Sequence, residues 1–435
     1  MKRTYIKEIK KLIGKEILLK CWIQTIRSQG SITFLIVRDI TGLIQCVALD
    51  KNVSKSLDQV KIESVIELLG LVKEEKQAPE GYEVEIKSFK VLSEPIRTLP
   101  IPIVEKTDSK TLLSKRLDYR WLDLRKPKNL LIFKIWTTME NAFRQYCIEK
   151  GYTEIHSPKT LVTSTESGSE LFEVKYFGKK AFLAQSPQLY KQMAMASGFE
   201  KVFEVGPVFR ANPSFTSRHD TEFTMYDVEI SYTESVEELL QEEEKMIVRM
   251  FKDVVDKYSL EIKEQYQQNI DILVLPFPRL SFSKAKNILK DLGIKGEKKD
   301  DLSPEEERKI GEYIKEKFSH DFVFIYDYPT SSRAFYSMRY EDRPKYTKSF
   351  DLLYKGLEIT SGAIREHRFE VLKSQIIEKG FKPEDFSSYL TFFAYGCPPH
   401  GGFAPGPTRI LMQMLGVKNV REVTYIYRGV KRLSP

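Results

Sequence analysis

Two arginines and a histidine flank the polar loop of the segment VFEVGPVFRANPSFTSRHDTEFTMYDVEI, residues 202–230. The loop lies between two apolar runs of strand type, and an antiparallel hairpin would bring Arg210, Arg218 and His219 toward one end. A planar guanidinium forks onto phosphate oxygens, so two arginines at the mouth of a sheet suit a triphosphate. Taken alone, the pattern fits a hairpin with surface arginines at least as well.

Two carboxylates follow in SFDLLYKGLEITSGAIREHR, residues 349–368. Strand-like runs surround the turn YKG and would place Asp351 and Glu358 on neighbouring strands. Carboxylate oxygens at that separation suit a hard cation such as Mg²⁺, although cross-strand carboxylates are often ordinary surface residues. Ser361 and Arg365 follow on the exit from the second strand.

Small residues and another arginine occur in YGCPPHGGFAPGPTRILMQML, residues 395–415. We interpret this segment as a Gly- and Pro-rich loop that leads into an amphipathic helix with Arg409 in its first turn. Such a loop lets a flat ring approach the backbone, and Arg409 could stack over the ring or contact phosphate. The segment is neither a Walker motif nor a Rossmann fingerprint.

Lys191 is the one cation in FLAQSPQLYKQMAM, residues 182–195. It is either a solvated helix residue or a cation that meets a carboxylate from outside the protein.

The elements that position these residues fall into two parts. Residues 15–100 contain about five short strand-like runs, which suggest an OB-fold barrel or a small sandwich. A proline-rich linker over 94–110 follows, and then a helix over 129–150 that stops at Gly151. Strands and helices alternate from there, with charged helices over 234–258 and 303–318. This predicts a small barrel followed by a large mixed α/β domain.

Composition excludes several classes of protein. The 435 residues include four cysteines, which are far apart and form no CxxC pair, so we expect reduced thiols and no structural zinc site. The chain has neither an apolar run of membrane-spanning length nor a secretory signal, so we expect a cytoplasmic protein with no membrane partner. A formal net charge of +8 permits a polyanionic partner.

The order of the segments resembles the three signature motifs of class II aminoacyl-tRNA synthetases. Over nearly its full length the chain resembles the compact archaeal-type aspartyl enzymes, from RLDYRWLDLRKP through FRANPSFTSRHDTEFTMYDVE and LEITSGAIREH to PPHGG. The resemblance implies an α+β fold: an N-terminal OB-fold β-barrel, then the class II antiparallel-sheet catalytic domain with flanking helices. It implies an anticodon-binding domain over 1–104, a hinge over 105–130 and a catalytic domain over 131–435.

The resemblance also implies a reaction. ATP and L-aspartate would form aspartyl-adenylate and diphosphate with Mg²⁺ as cofactor, and the aspartyl group would pass to tRNA with no covalent enzyme intermediate. Catalysis would consist mainly of positioning and of charge stabilisation at the α-phosphorus. A homodimer that associates around Pro158 is implied as well.

The family's roles transfer to matching positions. The implied catalytic residues are Arg210 and Arg409. The implied aspartate-binding residues are Glu166, Gln188, Lys191, Arg210, Ser361 and Arg365. The implied ATP-binding residues are Arg210, Asn212, Arg218, His219, Asp220, Glu358, Gly406 and Arg409. The implied Mg²⁺ ligands are Glu358, Asp351 and Ser361.

Lys191 takes on a particular meaning in this family. Its counterpart faces the side-chain carboxylate of aspartate, helped by the counterpart of Arg365, and asparaginyl enzymes lack that lysine. A charge-assisted bond to a carboxylate is worth about 1.5–3 kcal/mol, so the resemblance favours aspartate over asparagine.

Four barrel residues are implied to contact the tRNA anticodon. Phe34 would stack on a base and Gln45 would hydrogen-bond to one, although Phe34 could instead be a core strand residue. Gln24 and Pro79 match enzymes that charge both tRNA(Asp) and tRNA(Asn), whereas enzymes restricted to tRNA(Asp) tend to have Trp and Lys there.

The chain departs from the family pattern at several places. Asn212 stands where the hairpin motif usually has Glu, and Pro405, Pro407 and Thr408 alter the last motif. These changes leave the arginines and Glu358 in place but could lower activity.

Three alternatives stay open at this point. The chain could be a discriminating aspartyl enzyme or an asparaginyl enzyme. It could be an amino-acid-adenylating paralogue that acts on a small molecule. It could also be an RNA-binding protein without activity, which would have lost the ATP-binding arginines.

Overall fold

The computed structural model describes residues 1–105, 111–162, 170–213 and 216–435. The chain divides into two compact units, Met1–Pro127 and Lys128–Pro435. Within the described residues, no helix has the length and apolarity that crossing a bilayer requires.

The first unit is a closed five-stranded barrel with strand order β1-β2-β3-β5-β4. Its elements are β1 (Glu16–Gln29), β2 (Ile32–Asp39), β3 (Gly42–Ala48), α1 (Lys51–Leu57), β4 (Val65–Glu74) and β5 (Tyr82–Ser93). Side chains on β2 alternate between buried and partly exposed, as expected when one face of a strand packs on a core. The predicted OB-fold barrel is confirmed.

Residues 113–123, in the predicted hinge, form two short helices, α2 (Leu113–Asp118) and α3 (Arg120–Asp123). A buried ion pair joins Arg120 Nη1 to Asp123 Oδ2 at 2.7 Å, and Asp123 also accepts from Arg116. This stretch clusters with the barrel unit.

The second unit is built on an eight-stranded sheet of order β12-β13-β14-β15-β16-β11-β10-β6. Its strands are β6 (Thr153–Glu154), β10 (Lys201–Phe209), β11 (Glu222–Ser231), β12 (Arg279–Ser281), β13 (Phe322–Tyr326), β14 (Ser349–Tyr354), β15 (Leu357–Ile364) and β16 (His400–Pro405). A smaller sheet contains β7 (Thr160–Leu161), β8 (Glu173–Tyr176) and β9 (Lys179–Leu183). All pairs of the large sheet are antiparallel except β6–β10 and β12–β13.

Helices flank the large sheet. They are α4 (Pro127–Glu149), α5 (Gln188–Ala196), α6 (Val236–Tyr266), α7 (Phe282–Asp291), α8 (Pro304–Phe318), α9 (Phe369–Glu378), α10 (Ser387–Phe393), α11 (Pro407–Met414) and α12 (Val420–Val423). The predicted helix over 129–150 is confirmed as α4, which begins at a proline and ends just before Gly151, whose φ is 77°. Its buried residues recur every three or four positions and pack on the sheet with those of α6.

One sequence-based interpretation was wrong. Residues 400–405, expected to form a loop, are strand β16, which pairs with β11 on one side and β15 on the other. The glycines allow neighbouring strands to pack closely here, because a Cβ at Gly402 would lie 2.1 Å from Val228 O. The helix that follows, with Arg409 near its start, is present as α11.

Candidate active site and nucleic-acid interface

A cavity of about 670 Å³ lies among strands β11, β14, β15 and β16 and helices α5 and α11. Because β16 separates β11 from β15 in the sheet, residues far apart in sequence meet there. The predicted site residues that line the cavity are Gln188, Lys191, Arg210, Asn212, Arg218, His219, Asp220, Glu358, Ser361, Arg365, Gly406 and Arg409. Glu166 lies outside the described residues.

Lys191 is buried on α5, with 2% of its side chain exposed. Its Nζ lies 3.2 Å from Asp227 Oδ1 and 3.1 Å from Glu229 Oε2. Asp227 and Glu229 alternate with Val228 along β11, so both carboxylates face α5. The reading of Lys191 as a solvated helix residue is therefore wrong.

Arg365 shares Glu229 with Lys191. Its Nε donates to Glu229 Oε1 at 2.8 Å, and its Nη2 donates to Glu229 Oε2 at 3.2 Å and to Gly402 O at 3.0 Å. Burial acts to raise the pKa of Glu229, but Arg365 and Lys191 outweigh it and the pKa is lowered. An ionised Glu229 thus holds two cations side by side at one end of the cavity.

A chain of hydrogen bonds orients the Gln188 side chain. Gln188 Nε2 donates to Gln192 Oε1 at 3.0 Å, and the Tyr389 hydroxyl donates to the same oxygen at 3.0 Å. Gln192 Nε2 lies 2.9 Å from His400 Nε2, and His400 Nδ1 lies 2.8 Å from Pro398 O. Burial lowers the pKa of His400 to about 4, so a neutral ring accepts from Gln192 and donates to Pro398. With its amide nitrogen engaged, Gln188 retains a carbonyl oxygen that can accept from an ammonium group.

Three arginines gather at the other end of the cavity. Arg210 directly follows β10, and its Cζ lies 5.4 Å from the ring centre of Phe223. Arg409 Nη1 donates to Glu358 O at 2.8 Å. The pKa of His219 is lowered to about 4. The largest cause is burial, and the positive charges of Arg409, Arg218 and Arg210 lower it further. His219 is therefore neutral near pH 7, and the arginines carry the positive charge.

Glu358 lies at the start of β15, close to this cluster. Its carboxylate Oε2 is 3.6 Å from Arg409 Nη1. Burial raises the pKa of Glu358 and Asp351 raises it further, while Arg409 acts in the opposite direction. The carboxylate thus lies beside positive charge, and burial and Asp351 act on its pKa against Arg409.

Asp351 pairs with Ser361 across β14 and β15, as predicted for neighbouring strands. Its Oδ1 accepts from Ser361 Oγ at 2.7 Å and from Arg333 Nη1 at 2.9 Å, and its Oδ2 accepts from Arg333 Nη2 at 2.6 Å. The Arg333 guanidinium also stacks on Tyr328, 3.6 Å from the ring centre. Both oxygens of Asp351 are therefore bound to a protein cation.

The residues fit a Mg²⁺ ion shared with phosphates. Mg²⁺ is commonly held by one or two carboxylates together with water and substrate phosphate oxygens. Among the described residues, no group of three or more His, Cys, Asp or Glu side chains is placed to hold a metal ion. Glu358 at the arginine cluster is the carboxylate that suits such a shared ion, with the Ser361 hydroxyl nearby in the same cavity.

Asp220 lies on the cavity wall beyond His219. Thr424 Oγ1 donates to its Oδ2 at 3.1 Å. Burial raises the pKa of Asp220 to about 7, although Thr424, Arg421 and Arg409 all act to lower it. This carboxyl group therefore titrates near neutral pH.

The barrel presents a separate candidate interface. Leu35 on β2 is buried in the barrel core, whereas its neighbour Phe34 is half-buried and points to the opposite face. Gln45 on β3 pairs with Ile36 on β2, so it shares a face with Phe34. Gln45 Nε2 donates to Glu83 Oε2 at 2.8 Å. Phe34 is therefore not a core residue, which leaves its ring available on the outer face.

Gln24 and Pro79 occupy irregular positions of the barrel. The register of β1 against β2 shifts between Ile23 and Thr25, so Gln24 is the extra residue of a β-bulge. Bulges re-aim side chains and often mark functional sites. Pro79 is exposed in the turn between β4 and β5, where Gly81 N donates to Ala78 O at 2.9 Å.

Sequence reasoning missed several residues that line the cavity or contact its lining residues. Arg333 lies on an irregular segment with no motif around it, and Glu307 lies on the helix predicted over 303–318, for which the sequence indicates only its charge. Asp227 and Glu229 lie within the segment 202–230, where they alternate with Val228 on β11. That alternation, two acidic residues between the apolar residues Tyr226, Val228 and Ile230, was the signal available.

Comparison with known proteins agrees with this geometry. Residues 113–427 match the family of class II tRNA synthetases (D, K and N), and residues 17–92 match the OB-fold nucleic acid binding domain. The aspartate–tRNA(Asp) ligase of Pyrococcus furiosus is 41% identical over 441 residues, covering 100% of both chains. The aspartate–tRNA(Asp/Asn) ligase of Methanopyrus kandleri is 42% identical over 426 residues, covering 97% of this chain and 96% of the relative.

A solved structure shares the fold closely. Asparaginyl-tRNA synthetase from Pyrococcus horikoshii, in complex with asparaginyl-adenylate, superposes with a TM-score of 0.93 at 32% identity over 100% of both chains. This chain therefore shares its fold with an asparaginyl-tRNA synthetase. The family match spans most of the chain and the full-length relatives exceed 40% identity, so the chain belongs to the class II tRNA synthetases of the D, K and N group.

Proposed function

We propose that this enzyme activates L-aspartate with ATP and Mg²⁺ and transfers the aspartyl group to tRNA(Asp) and also to tRNA(Asn). The observation that carries the aspartate assignment is the pair of cations, Lys191 and Arg365, that Glu229 holds at one end of the cavity. Full-length relatives named aspartate–tRNA ligases support it.

The amino acid binds between two kinds of group. Lys191 and Arg365 receive its side-chain carboxylate, and the carbonyl oxygen of Gln188 accepts from its ammonium group, with Glu166 as a second acceptor. A carboxylate gains charge-assisted bonds from these cations that a neutral amide does not. Each such bond is worth about 1.5–3 kcal/mol, or roughly ten- to a hundredfold in affinity, so aspartate is preferred over asparagine.

ATP binds at the arginine end. Arg210 contacts the α-phosphate, Arg218 and His219 contact the β- and γ-phosphates, and Arg409 packs on the adenine. Asn212, Asp220 and Gly406 complete the nucleotide site. Glu358, Asp351 and Ser361 are the residues that would hold Mg²⁺, and the ion would neutralise charge on the phosphates.

Adenylation is an in-line displacement. An α-carboxylate oxygen of aspartate attacks the α-phosphorus, a new P–O bond forms, and the bond to the leaving diphosphate breaks. Arg210 stabilises the charge that develops on the α-phosphate oxygens. The 3′-terminal ribose hydroxyl of the tRNA then attacks the aspartyl carbonyl and releases AMP.

Selection of tRNA takes place on the barrel. Phe34 stacks on an anticodon base and Gln45 hydrogen-bonds to one, because an outer aromatic ring reads unpaired bases by stacking. Gln24 and Pro79 make anticodon recognition less selective, so that the anticodons of tRNA(Asp) and tRNA(Asn) are both accepted. The relatives named for tRNA(Asp) and for tRNA(Asp/Asn) are equally similar to this chain. Charging of tRNA(Asn) is therefore proposed on Gln24 and Pro79 alone.

The enzyme acts as a cytoplasmic homodimer that associates around Pro158, with the OB-fold domain over 1–104, the hinge over 105–130 and the catalytic domain over 131–435.

Amino-acid-dependent exchange of labelled diphosphate into ATP tests the activation step. Aspartate should support exchange, and asparagine should support it at least tenfold less efficiently in kcat/KM. Exchange driven better by asparagine would favour the asparaginyl alternative, and exchange with neither amino acid would indicate a paralogue or an inactive RNA-binding protein.

A further inference from the structure

Glu307 is a buried acid that contacts two residues of the active-site cavity, Arg218 and Glu358, and it has no part in the proposed reaction. It lies in the first turns of α8, and 7% of the residue is exposed. Its Oε2 accepts from Arg218 Nη1 at 2.9 Å and from the backbone N–H of Glu358 at 3.3 Å. One oxygen atom therefore joins the hairpin loop that carries Arg218 to the start of β15.

Close packing fixes the position of α8 at this point. A Cβ at Gly311 would lie 2.5 Å from Gly356 N, and a Cβ at Gly356 would lie 2.7 Å from Arg308 Cα. Gly356 forms the turn between β14 and β15 with a φ of 70°, which favours glycine. The helix backbone thus rests directly on the turn that precedes Glu358, and Glu307 has little freedom to shift relative to it.

The hydrogen bond between Arg218 and Glu307 can orient the Arg218 guanidinium. Arg218 Nη1 donates to Glu307, and within the described residues no other hydrogen bond from the Arg218 side chain is found. The remaining guanidinium donors are therefore available to a ligand in the cavity. A long side chain held at one nitrogen loses less conformational entropy when the others bind.

We propose that Glu307 is a positioning residue that holds the Arg218 guanidinium at a set distance from Glu358. In this position Arg218 would contact the polyphosphate chain directly, and Glu358 would act on the same chain by holding Mg²⁺. This inference rests on the proposed function, in which Arg218 binds the ATP phosphates.

Diphosphate exchange with Glu307→Ala and Glu307→Gln tests the proposal. We expect the KM for ATP to rise roughly ten- to a hundredfold in Glu307→Ala, with the KM for aspartate changed less than twofold. Glu307→Gln retains an acceptor without the charge and should lie between Glu307→Ala and the unaltered enzyme. Glu305→Gln, on the exposed face of the same helix turn, is the matched control and should behave as the unaltered enzyme.

A double-mutant cycle separates positioning from simple loss of stability. If Glu307 acts through Arg218, Glu307→Gln should have little effect on the KM for ATP once Arg218 is replaced by alanine. An undiminished effect in that background, or an unchanged KM for ATP in Glu307→Gln with a lowered Tm, would overturn the proposal. Absence of exchange in the unaltered enzyme would instead refute the proposed function.

Discussion

Lys191 Nζ and Glu229 Oε2 lie 3.1 Å apart in the interior of the catalytic unit, and the same carboxylate also binds Arg365. Glu229 is fully buried, whereas both cations also line the cavity. The carboxylate thus sets the spacing of two positive groups without itself facing the ligand. The neighbouring carboxylates, together with Val228 O, which accepts from Lys191 Nζ at 3.3 Å, stabilise a buried lysine that still borders the cavity.

Replacement of Lys191 by methionine should impair aspartate activation. The change removes a cation, leaves Asp227 on the cavity wall without Lys191, and leaves Glu229 with Arg365 alone. We expect kcat/KM for aspartate to fall by at least a hundredfold in diphosphate exchange, with the KM for ATP little changed. An unaltered KM for aspartate would show that Lys191 is structural only.

Replacement of Glu229 by glutamine should loosen the same end of the cavity. The variant keeps the shape of the side chain but no longer holds Lys191 and Arg365 by charge, so the KM for aspartate should rise at least tenfold. Steady-state diphosphate exchange measures it. An equal rise in the KM for ATP would point to a general distortion of the cavity.

The lowered pKa of Glu229 also predicts a pH dependence of stability. Because the folded-state pKa lies below the ordinary value, the unfolded state binds more protons in that interval. The contribution of Glu229 is fully present above pH about 4.5 and is lost as pH falls through the folded-state pKa. Urea denaturation over this acid range should show a smaller loss of unfolding free energy in Glu229→Gln than in the unaltered enzyme.

The lowered pKa of His400 predicts that stability also depends on pH in a second, separate range. Its pKa is lowered to about 4 by burial, so the unfolded state takes up a proton below pH about 6.5 that the folded state resists. Stability should fall as pH decreases from about 6.5 to 4, by up to about 3 kcal/mol from this residue. In His400→Gln, unfolding curves should show a shallower slope in that window; an unchanged slope would contradict the assignment.

Arg333 should contribute to stability through its two bonds to Asp351. Arg333→Lys keeps the charge but loses the planar fork, and we expect the free energy of unfolding to fall by about 1–3 kcal/mol. Arg339→Lys is the control on the same segment. Its partner Glu378 is exposed, so the loss should stay below about 1 kcal/mol. Equal losses in urea denaturation of the two variants would contradict the role given to Asp351.

The two tRNA-selecting positions can be exchanged for the residues of restricted enzymes. Gln24→Trp together with Pro79→Lys should reduce charging of tRNA(Asn) at least tenfold relative to tRNA(Asp), because a bulky ring at the bulge and a cation in the turn alter the anticodon surface. Aspartylation of both transcripts by the double variant measures this ratio. Diphosphate exchange without tRNA serves as the control and should not change.

Local sequence patterns predicted helix α4 and the barrel strands correctly. The apolar spacing of α4 and the alternation of the barrel strands depend on near neighbours in the sequence, and these elements were found where expected. Arg210 and Arg409 could be singled out because each adjoins a strand or helix end. The strand formed by residues 400–405 was missed, since its glycines are typical of loops unless the close approach of β11 is known.

Residues that act through distant partners could not be predicted in the same way. Glu307 and Arg218 are hydrogen-bonded although they are 89 positions apart in the sequence. Arg365 and Glu229 are hydrogen-bonded although they are 136 positions apart. Such pairs depend on the order of strands in the sheet, which single-sequence patterns do not give. The role of Arg333 is a further case, because its partner Asp351 had a simpler interpretation as a metal ligand.

Charging of two tRNA transcripts, one with each anticodon, tests the central claim most directly. The purified enzyme is supplied with labelled aspartate, ATP and Mg²⁺, and aspartylation of each transcript is followed. We predict that both tRNA(Asp) and tRNA(Asn) are aspartylated with similar efficiency. Aspartylation of tRNA(Asp) alone would contradict the roles proposed for Gln24 and Pro79, and failure to charge either transcript would contradict the proposed function itself.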